Sequence, residues 1–176
     1  MLILKGAFVK AGDVSRASGL TPGLTPRLKM RNIGGGFPSK ERPMERTLAI
    51  IKPDATKKRT IGKIIERIEE EGFSIARMKL VHMTKDEAKG FYIVHKERGF
   101  YDSLTEFMSS GPVVVMVLEA ENAVRLWRDV MGATDPALAK PGTIRHAHGF
   151  SIERNATHGS DARETAEREI DYFFKK

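Results

Sequence analysis

The chain has 176 residues, 40% of them hydrophobic and 30% charged, which is typical of one globular domain with room for a tail. Residues 1–44 contain eight Lys or Arg and two acidic residues, whereas residues 45–176 contain 22 Lys or Arg and 21 acidic residues. Because residues 45–176 are nearly neutral, nucleic acid is not expected as a partner. The sequence has no cysteine, which excludes disulfides and thiolate chemistry and fits the cytoplasm, and its longest apolar run, residues 112–118, is too short to span a membrane.

Residues 1–44 are predicted to be a disordered, basic N-terminal extension. They contain seven of the 16 glycines and four of the eight prolines, and no helical or strand period persists in them. Three origins stay open: an added leader, a reading frame extended upstream of a start at Met44, and an organelle transit peptide. The first two are favoured. Residues 45–176 are predicted to form a single catalytic domain.

Regular patterns begin at Glu45 and first predict a strand, a helix and a second strand. The apolar, β-branched residues 47–51 indicate a buried strand that ends at Pro53. Residues 60–72 predict a helix with Thr60 as its N-cap, isoleucines along one face and Gly72 at its end. Residues 73–81 predict the second strand.

Two capping boxes and one apolar run follow. Thr84–Glu87 has the spacing of a capping box and predicts a helix that runs toward His95, and Ser103–Glu106 repeats that spacing at the start of a shorter helix. The continuously apolar residues 113–118 predict a central strand that is covered on both faces. Residues 122–131 then predict a helix.

The last third of the sequence predicts a loop, a short strand and a final helix. Prolines and a glycine interrupt residues 135–142, Phe150–Ile152 is the predicted fourth strand, and residues 161–174 form the predicted last helix. The resulting order, β-α-β-α-α-β-α-β-α, is close to two split β-α-β units. It predicts an α/β sandwich of the ferredoxin-like class, with a four-stranded antiparallel sheet and helices packed on it.

Few residues indicate chemistry by their pattern alone. Gly62-Lys63 lacks the upstream glycine of a P-loop, so a backbone cradle for phosphate is not indicated. His146 and His148 are two residues apart in a predicted loop, and a metal site there remains a minor alternative.

His158 lies between the predicted fourth strand and the last helix, among small and polar residues. A neutral imidazole predominates above its reference pKa of about 6.5, and it can attack a phosphorus atom without prior deprotonation. Position alone nevertheless favours a cap-region or surface histidine over a nucleophile.

Four groups of residues resemble the motifs of nucleoside diphosphate kinases, in the family's order, and the resemblance extends over residues 45–174. They are the opening segment 45–55, the central strand 110–114, the loop 132–136 with 140–145, and the signature 155–161. The resemblance implies that His158 accepts a phosphoryl group on its pros nitrogen, and that Glu169 orients the imidazole through the other nitrogen. Without the resemblance, Glu169 would be interpreted as an exposed helix carboxylate.

The resemblance also implies a nucleotide site made of seven residues. Lys52 would reach the phosphates and the sugar, Asn155 would bind sugar hydroxyls, and Tyr92 would line the pocket near the histidine. Phe100 would stack on the base, which reads no base identity and so suits a kinase of broad substrate range. Three further residues would bind the phosphates, two of them through guanidinium groups that suit phosphate oxygens: Arg128, Thr134 and Arg145.

The implied reaction is a ping-pong phosphoryl transfer that maintains the pools of nucleoside triphosphates. A triphosphate, mainly ATP, would give its γ-phosphate to His158, and a diphosphate would then receive it. Mg²⁺ would be bound with the nucleotide phosphates, and no protein metal ligands are predicted. The family implies a homo-oligomer, either a tetramer or a hexamer, and the cysteine-free composition favours the cytoplasm.

Two residues depart from the family pattern. Val94 stands where many members have a glutamate, and Ala162 stands where many have a serine. Both are expected to modulate rate or stability. A rival hypothesis is a nucleotide- or nucleic-acid-binding regulator that uses the basic extension, but such a binder would be expected to lose the nucleophile first, and His158 is present.

Overall fold

The structure is a computed structural model that describes residues 44–175, so the predicted extension lies outside the described residues except for Met44. Within this range there are four strands: β1 (Glu45–Ile51), β2 (Ser74–Val81), β3 (Val113–Ala120) and β4 (Thr157–Gly159). The same range contains seven α-helices: α1 (Pro53–Lys57), α2 (Ile61–Glu70), α3 (Lys85–Phe91), α4 (Tyr101–Ser109), α5 (Ala123–Met131), α6 (Ile144–His148) and α7 (Arg163–Phe174). Two 3₁₀ turns are Ile93–His95 and Pro136–Leu138.

The four strands form one antiparallel sheet in the order β2-β3-β1-β4. The apolar strands β1 and β3 are central, and residues 113–118 of β3 are buried on both faces because helices cover both sides. The predicted fold class is therefore confirmed. Among the described residues, no helix is both long and apolar enough to cross a membrane.

Alternate residues of β1 belong to two different hydrophobic cores. Leu48 and Ile50 pack with residues of α3, α4 and α7 on one face of the sheet. Ala49 and Ile51 pack with residues of α2 and α5 on the other. This two-residue period is the pleat of a strand, and it decides on which side of the sheet each neighbouring side chain lies.

Helix α2 shows why its sequence predicted an amphipathic helix. Ile64 and Ile68 are fully buried against the sheet, each worth roughly 1.5–3 kcal/mol of transfer free energy, and Gly72 follows the helix with a φ of 83°. The predicted cap is wrong in one detail. The hydroxyl of Thr60 donates to the carbonyl of Ala55 at 3.0 Å and does not cap the helix.

The register between β4 and β1 determines where His158 lies. His158 is paired with Ile50, and Gly159 is paired with Ala49. Because directly paired residues project from the same face of a sheet, His158 faces α3 and α7, whereas Gly159 faces α5. The structure agrees: a Cβ on Gly159 would come within 2.4 Å of the Trp127 ring in α5.

The predicted fourth strand at Phe150–Ile152 is wrong, because those residues form a turn and β4 lies at Thr157–Gly159. The backbone N–H groups of Phe150 and Ser151 donate to the carbonyl of Arg154 at 2.8 and 3.2 Å, which closes a local loop. Both apolar side chains of the segment are exposed, at 80% for Phe150 and 62% for Ile152. Apolar character therefore did not mark a buried strand here.

One predicted capping box is confirmed and the other is wrong. Thr84 and Glu87 make both reciprocal hydrogen bonds at the start of α3. Helix α4, however, already begins at Tyr101, so Ser103 lies inside it and its hydroxyl donates to the carbonyl of Phe100. The predicted loop around His146 and His148 is wrong as well, since both residues belong to α6.

Candidate active site

The ring of His158 is held by contacts on several sides and remains partly accessible. Its Nε2 lies 3.1 Å from Oε2 of Glu169, and its side chain is 19% exposed. The rings of Phe91 and Tyr92 approach it edge-on, with centroids 5.4 and 5.9 Å away. Its backbone carbonyl accepts from Nε1 of Trp127 at 3.2 Å. Among the described residues, no hydrogen-bond partner contacts Nδ1.

Glu169 is buried, so the exposed helix carboxylate that its sequence position alone would suggest is excluded. It projects from α7 toward the sheet, and its Oε2 also accepts from the hydroxyl of Ser160 at 2.7 Å. The Ser160 hydroxyl in turn accepts from the backbone N–H of Leu48 at 3.3 Å. This relay connects the carboxylate to β1 and limits the positions from which it can contact His158.

Lys52 and Asn155 form a buried pair at the end of β1. Nζ of Lys52 donates to Oδ1 of Asn155 at 2.6 Å and to the carbonyl of Glu153 at 3.2 Å. Nδ2 of Asn155 donates to the carbonyls of Thr134 and Ile152 at 2.9 and 2.8 Å, which fixes the orientation of the amide. The Asn155 side chain thus connects the strand end to the loop at residue 134.

Positive charge is concentrated near this pair. Burial, and after it the charge of Arg145, lowers the pKa of Lys52 to about 8, although the carboxylate of Asp54 favours the charged form. Burial and the charge of Arg128 lower the pKa of Arg145 to about 10. Lys52, Arg145 and Arg128 thus form a chain of neighbouring cations, and a bound anion would stabilise their charged forms.

The guanidinium of Arg145 is fixed by backbone carbonyls. Its Nη1 donates to Gly132 at 3.0 Å and its Nη2 donates to Thr157 at 3.1 Å, while the buried Nε has no hydrogen-bond partner among residues 44–175. Arg128 and Thr134 are exposed. These three residues therefore combine a rigid cation with two side chains that are free to meet a ligand.

Tyr92 and Phe100 flank the histidine side of the site differently. Tyr92 is buried, its hydroxyl has no hydrogen-bond partner in the described part of the chain, and burial raises the pKa of the phenol far above its ordinary range. Phe100 is 51% exposed and touches the ring of His95, with centroids 5.7 Å apart. His95 in turn stacks on Tyr92, so one ring separates Phe100 from the buried Tyr92. Because half of Phe100 is exposed, it lies at the rim of the site, where a planar group from solvent can reach it.

The structure thus brings the predicted site residues together in three connected groups. Direct contacts join His158 to Glu169 and to Tyr92. Hydrogen bonds join Lys52, Asn155 and the backbone of Thr134. Charge–charge repulsion connects Arg145 to Lys52 and Arg128 to Arg145. Phe100 is the exception. Among residues 44–175, it is connected to the other site residues only through the ring of His95, which contacts both Phe100 and Tyr92.

Sequence reasoning missed two residues that support this site, Ser160 and Asp54. Ser160 lies within the signature 155–161, and a hydroxyl two residues after the histidine was the available signal. The carboxylate of Asp54 accepts from the backbone N–H of Ala156 at 3.0 Å, and Ala156 lies between the predicted site residues Asn155 and His158. No local sequence pattern indicated this contact.

Neither of the two departures from the family pattern belongs to these groups of site residues. Val94 is 53% exposed in the first 3₁₀ turn, and Ala162 occupies the N-cap position of α7 without a side-chain hydrogen bond. Among residues 44–175, no three His, Cys, Asp or Glu side chains form a group that could hold a metal ion. The minor metal alternative at His146 and His148 therefore has no support from a third ligand.

Comparisons with known proteins agree on one family. The family model described as nucleoside diphosphate kinase matches residues 45–176. The nucleoside diphosphate kinase of Geobacter sulfurreducens is 59% identical over 133 residues, which cover 76% of this chain and 97% of that protein. That of Nitratiruptor sp. is 60% identical over 131 residues, covering 74% and 96%.

Solved structures give the same result. The structure of the Aquifex aeolicus nucleoside diphosphate kinase superposes with a TM-score of 0.74 at 46% identity, covering 76% of this chain and 96% of that one. The nucleoside diphosphate kinase of Encephalitozoon cuniculi gives a TM-score of 0.72 at 39% identity, covering 75% and 90%. From its sequence, its fold and the geometry around His158, this chain belongs to the nucleoside diphosphate kinase family.

Proposed function

We propose that this phosphotransferase carries the phosphoryl group on Nδ1 of His158. In the first half-reaction, Nδ1 attacks the γ-phosphorus of a nucleoside triphosphate, mainly ATP. The new P–N bond forms as the bond from the γ-phosphorus to the β,γ-bridging oxygen breaks, and the diphosphate leaves with that oxygen and its electron pair. The second half-reaction is the reverse with another nucleoside diphosphate, so donor and acceptor share one site.

The contact between His158 and Glu169 is the observation that carries the proposal. A carboxylate accepts hydrogen bonds, so Nε2 carries the ring proton and donates a hydrogen bond to Oε2 of Glu169 at 3.1 Å. Nδ1 then holds the lone pair of a neutral imidazole. When Nδ1 bonds to phosphorus, the ring becomes cationic, and the buried Glu169 carboxylate stabilises that charge.

The three cations on the other side of the site suit the charge of the nucleotide. The charge of Arg145 disfavours the charged form of Lys52, and the charge of Arg128 disfavours that of Arg145, so a triphosphate would relieve that repulsion. In a loose phosphoryl-transfer transition state, negative charge is spread over the transferring group and the leaving oxygen. Fixed positive groups at that position lower the barrier mainly by positioning and electrostatic stabilisation.

The remaining predicted residues would bind the nucleoside and the outer phosphates. Phe100, exposed at the rim, would stack on the base without reading its identity, and Asn155, whose amide is already oriented, would bind the sugar. The unpartnered hydroxyl of Tyr92 gives the site a free donor near the histidine, and Thr134 would donate to a phosphate.

Mg²⁺ would be bound by the nucleotide phosphates. The fit is consistent with the side chains present, because residues 44–175 offer cations at the phosphate site and contain no group of three potential protein ligands. Bound in this way, the ion would neutralise part of the phosphate charge.

The test is a labelling experiment with ATP that carries a labelled γ-phosphate, with Mg²⁺ present. We expect acid-labile, base-stable label on the wild-type chain, its removal by a nucleoside diphosphate, and its assignment to the pros isomer of phosphohistidine. His158→Ala should take up no label, whereas His82→Ala, a matched change of an exposed histidine, should label normally. Label that persists in His158→Ala, or that belongs to the tele isomer, would refute the assignment.

We also propose that the protein is a homo-oligomer, a tetramer or a hexamer. Several large apolar side chains are exposed: Met78 (54%) and Leu80 (67%) on the edge strand β2, Leu138 (76%) at the end of the second 3₁₀ turn, and Phe150 (80%) after α6. Exposed apolar groups of this size commonly mark protein interfaces. Light scattering coupled to size exclusion would show a monomer if the proposal is wrong. The cytoplasmic location stays a prediction from the cysteine-free composition.

A further inference from the structure

Ala156 has an unusual backbone conformation at the centre of the site. Its φ is 67°, in the left-handed region that favours glycine, and its side chain is fully buried. The N–H of Thr157 donates to the carbonyl of Asn155 at 2.8 Å, so Ala156 is the middle residue of a three-residue γ-turn with positive φ, a rare and strained form. Such a turn persists when its surroundings hold it.

Both backbone polar groups of Ala156 are bound by the segment that follows β1. Its carbonyl accepts from the backbone N–H of Lys52 at 2.8 Å, and its N–H donates to Oδ2 of Asp54 at 3.0 Å. The first contact is between backbone atoms and does not depend on a side chain. The second depends entirely on the Asp54 carboxylate, 102 positions away in the sequence.

No helix-capping role accounts for Asp54. It lies in the first turn of α1, yet the N-cap of that helix has no side-chain hydrogen bond. Its other oxygen, Oδ1, is buried and has no hydrogen-bond partner among residues 44–175. A carboxylate oxygen left in this way is unfavourable for stability, which argues that the residue serves the contact that Oδ2 makes.

We propose that Asp54 is a positioning residue for phosphoryl transfer: its carboxylate holds the left-handed turn at Ala156 through the hydrogen bond to the Ala156 N–H. The inference rests on the proposed function of His158. Asn155, which would bind the sugar, precedes the turn, and His158 follows it by two residues in β4. A single turn therefore sets the distance and angle between the nucleotide and the nucleophile, and an error of about 1 Å there can lower a rate about 100-fold.

The test compares the rate of His158 labelling by γ-labelled ATP, in a single turnover of the full chain, among variants of Asp54 and Ala156. Asp54→Ala removes the acceptor and should slow labelling by about 10- to 100-fold. Asp54→Asn retains an acceptor oxygen and should recover most of that loss at pH 6, where Lys52 stays charged without help from the Asp54 carboxylate. Adding Ala156→Gly to Asp54→Ala should restore at least part of the rate, because glycine adopts a positive φ without the clamp. Asp102→Ala, a change of an exposed aspartate, is the matched control.

The outcomes separate this inference from the function on which it rests. If the wild-type chain and Asp102→Ala take up no label, the proposed function fails and this inference fails with it. If they label normally and a folded Asp54→Ala labels at the same rate, or if Ala156→Gly gives no recovery, the positioning role alone is overturned. Should Asp54→Ala not fold, Asp54→Leu, which fills a similar volume without an acceptor oxygen, provides the same comparison with and without Ala156→Gly: a faster rate with glycine supports the role, and an equal rate overturns it.

Discussion

At the scale of single residues, the buried ammonium of Lys52 should make nucleotide capture depend on pH. Its folded pKa is about 8, against 10.5 for an ordinary lysine, a difference of about 3 kcal/mol between the charged and neutral forms. Below pH 8 the group is charged and attracts phosphate; above it the charge is lost. We therefore expect kcat/KM for ATP, which reports the free enzyme, to fall as pH rises through 8.

A Lys52→Arg variant provides the comparison for this pH dependence. It should be slower because a planar guanidinium does not fit an ammonium site, but it stays protonated, so the decline in kcat/KM near pH 8 should disappear. A bound nucleotide adds negative charge and raises the pKa of Lys52, so kcat should decline at higher pH than kcat/KM. An identical decline near pH 8 in wild type and Lys52→Arg would assign it to another group.

The carboxylate of Glu169 should affect the chemical step more than binding. Glu169→Ala removes the partner of Nε2 and leaves the Ser160 hydroxyl without its acceptor, so the imidazole is free to adopt other tautomers and angles. We expect the single-turnover labelling rate to fall about 10- to 100-fold, as when an orienting partner is removed from a functional histidine. Glu169→Gln, which retains an acceptor, should lose less, and Glu167→Ala, on the exposed face of α7, should lose nothing.

Contacts in the site could be predicted from the sequence only when the two contacting residues lie close together along the chain. The family resemblance pointed to both His158 and Glu169, which contact each other across only 11 positions near one end of the chain. The contacts of Ser160 with Leu48 and of Asp54 with Ala156 cross 112 and 102 positions. No local pattern reports such contacts, because they exist only after β4 has paired with β1.

At the scale of elements, β4 illustrates why the shortest strand was predicted in the wrong place. Its three residues, Thr157–Gly159, include a histidine and a glycine and have no apolar alternation of their own. The apolar Phe150 and Ile152 gave a stronger local signal but are exposed. What fixes β4 is packing: Gly159 leaves space for the Trp127 ring, so the strand can approach α5 closely. Helix α6, with five residues, was also too short for a periodic signal.

This close approach predicts the effect of adding one methyl group. In Gly159→Ala, the new Cβ would lie 2.4 Å from the Trp127 ring and 2.6 Å from Met131, so β4 or α5 must shift, at a cost of roughly 1–3 kcal/mol. The midpoint of urea unfolding should fall, and His158 labelling should slow with it. Gly62→Ala in α2 meets nothing within 4 Å and should raise the midpoint, by about 0.5–1 kcal/mol in stability. Equal midpoints for the two variants would contradict this account of β4.

At the scale of the whole molecule, the sheet could be predicted better than its edges. The long apolar strands β1 and β3 each gave a clear signal, and together they form the centre of the sheet. The strand β2 was also predicted, although its burial alternates weakly because it lies at an edge. Periodicity assigns apolar residues to the buried face of a strand. The apolar residues of β2 that are exposed therefore could not be predicted from the alternation of the sequence.

The distribution of charge over the molecule predicts that residues 1–43 and the catalytic domain have separable effects. Residues 1–44 carry a formal +6 and residues 45–176 only +1. The relative from Geobacter sulfurreducens matches over 133 residues, which make up 97% of its own length. Deleting residues 1–43 should therefore leave the labelling rate of His158 unchanged, while any binding of single-stranded DNA by the full chain should be lost, together with its dependence on salt concentration. A trimmed chain that no longer takes up label would show that the extension supports catalysis, and undiminished DNA binding would place a basic surface on the domain itself.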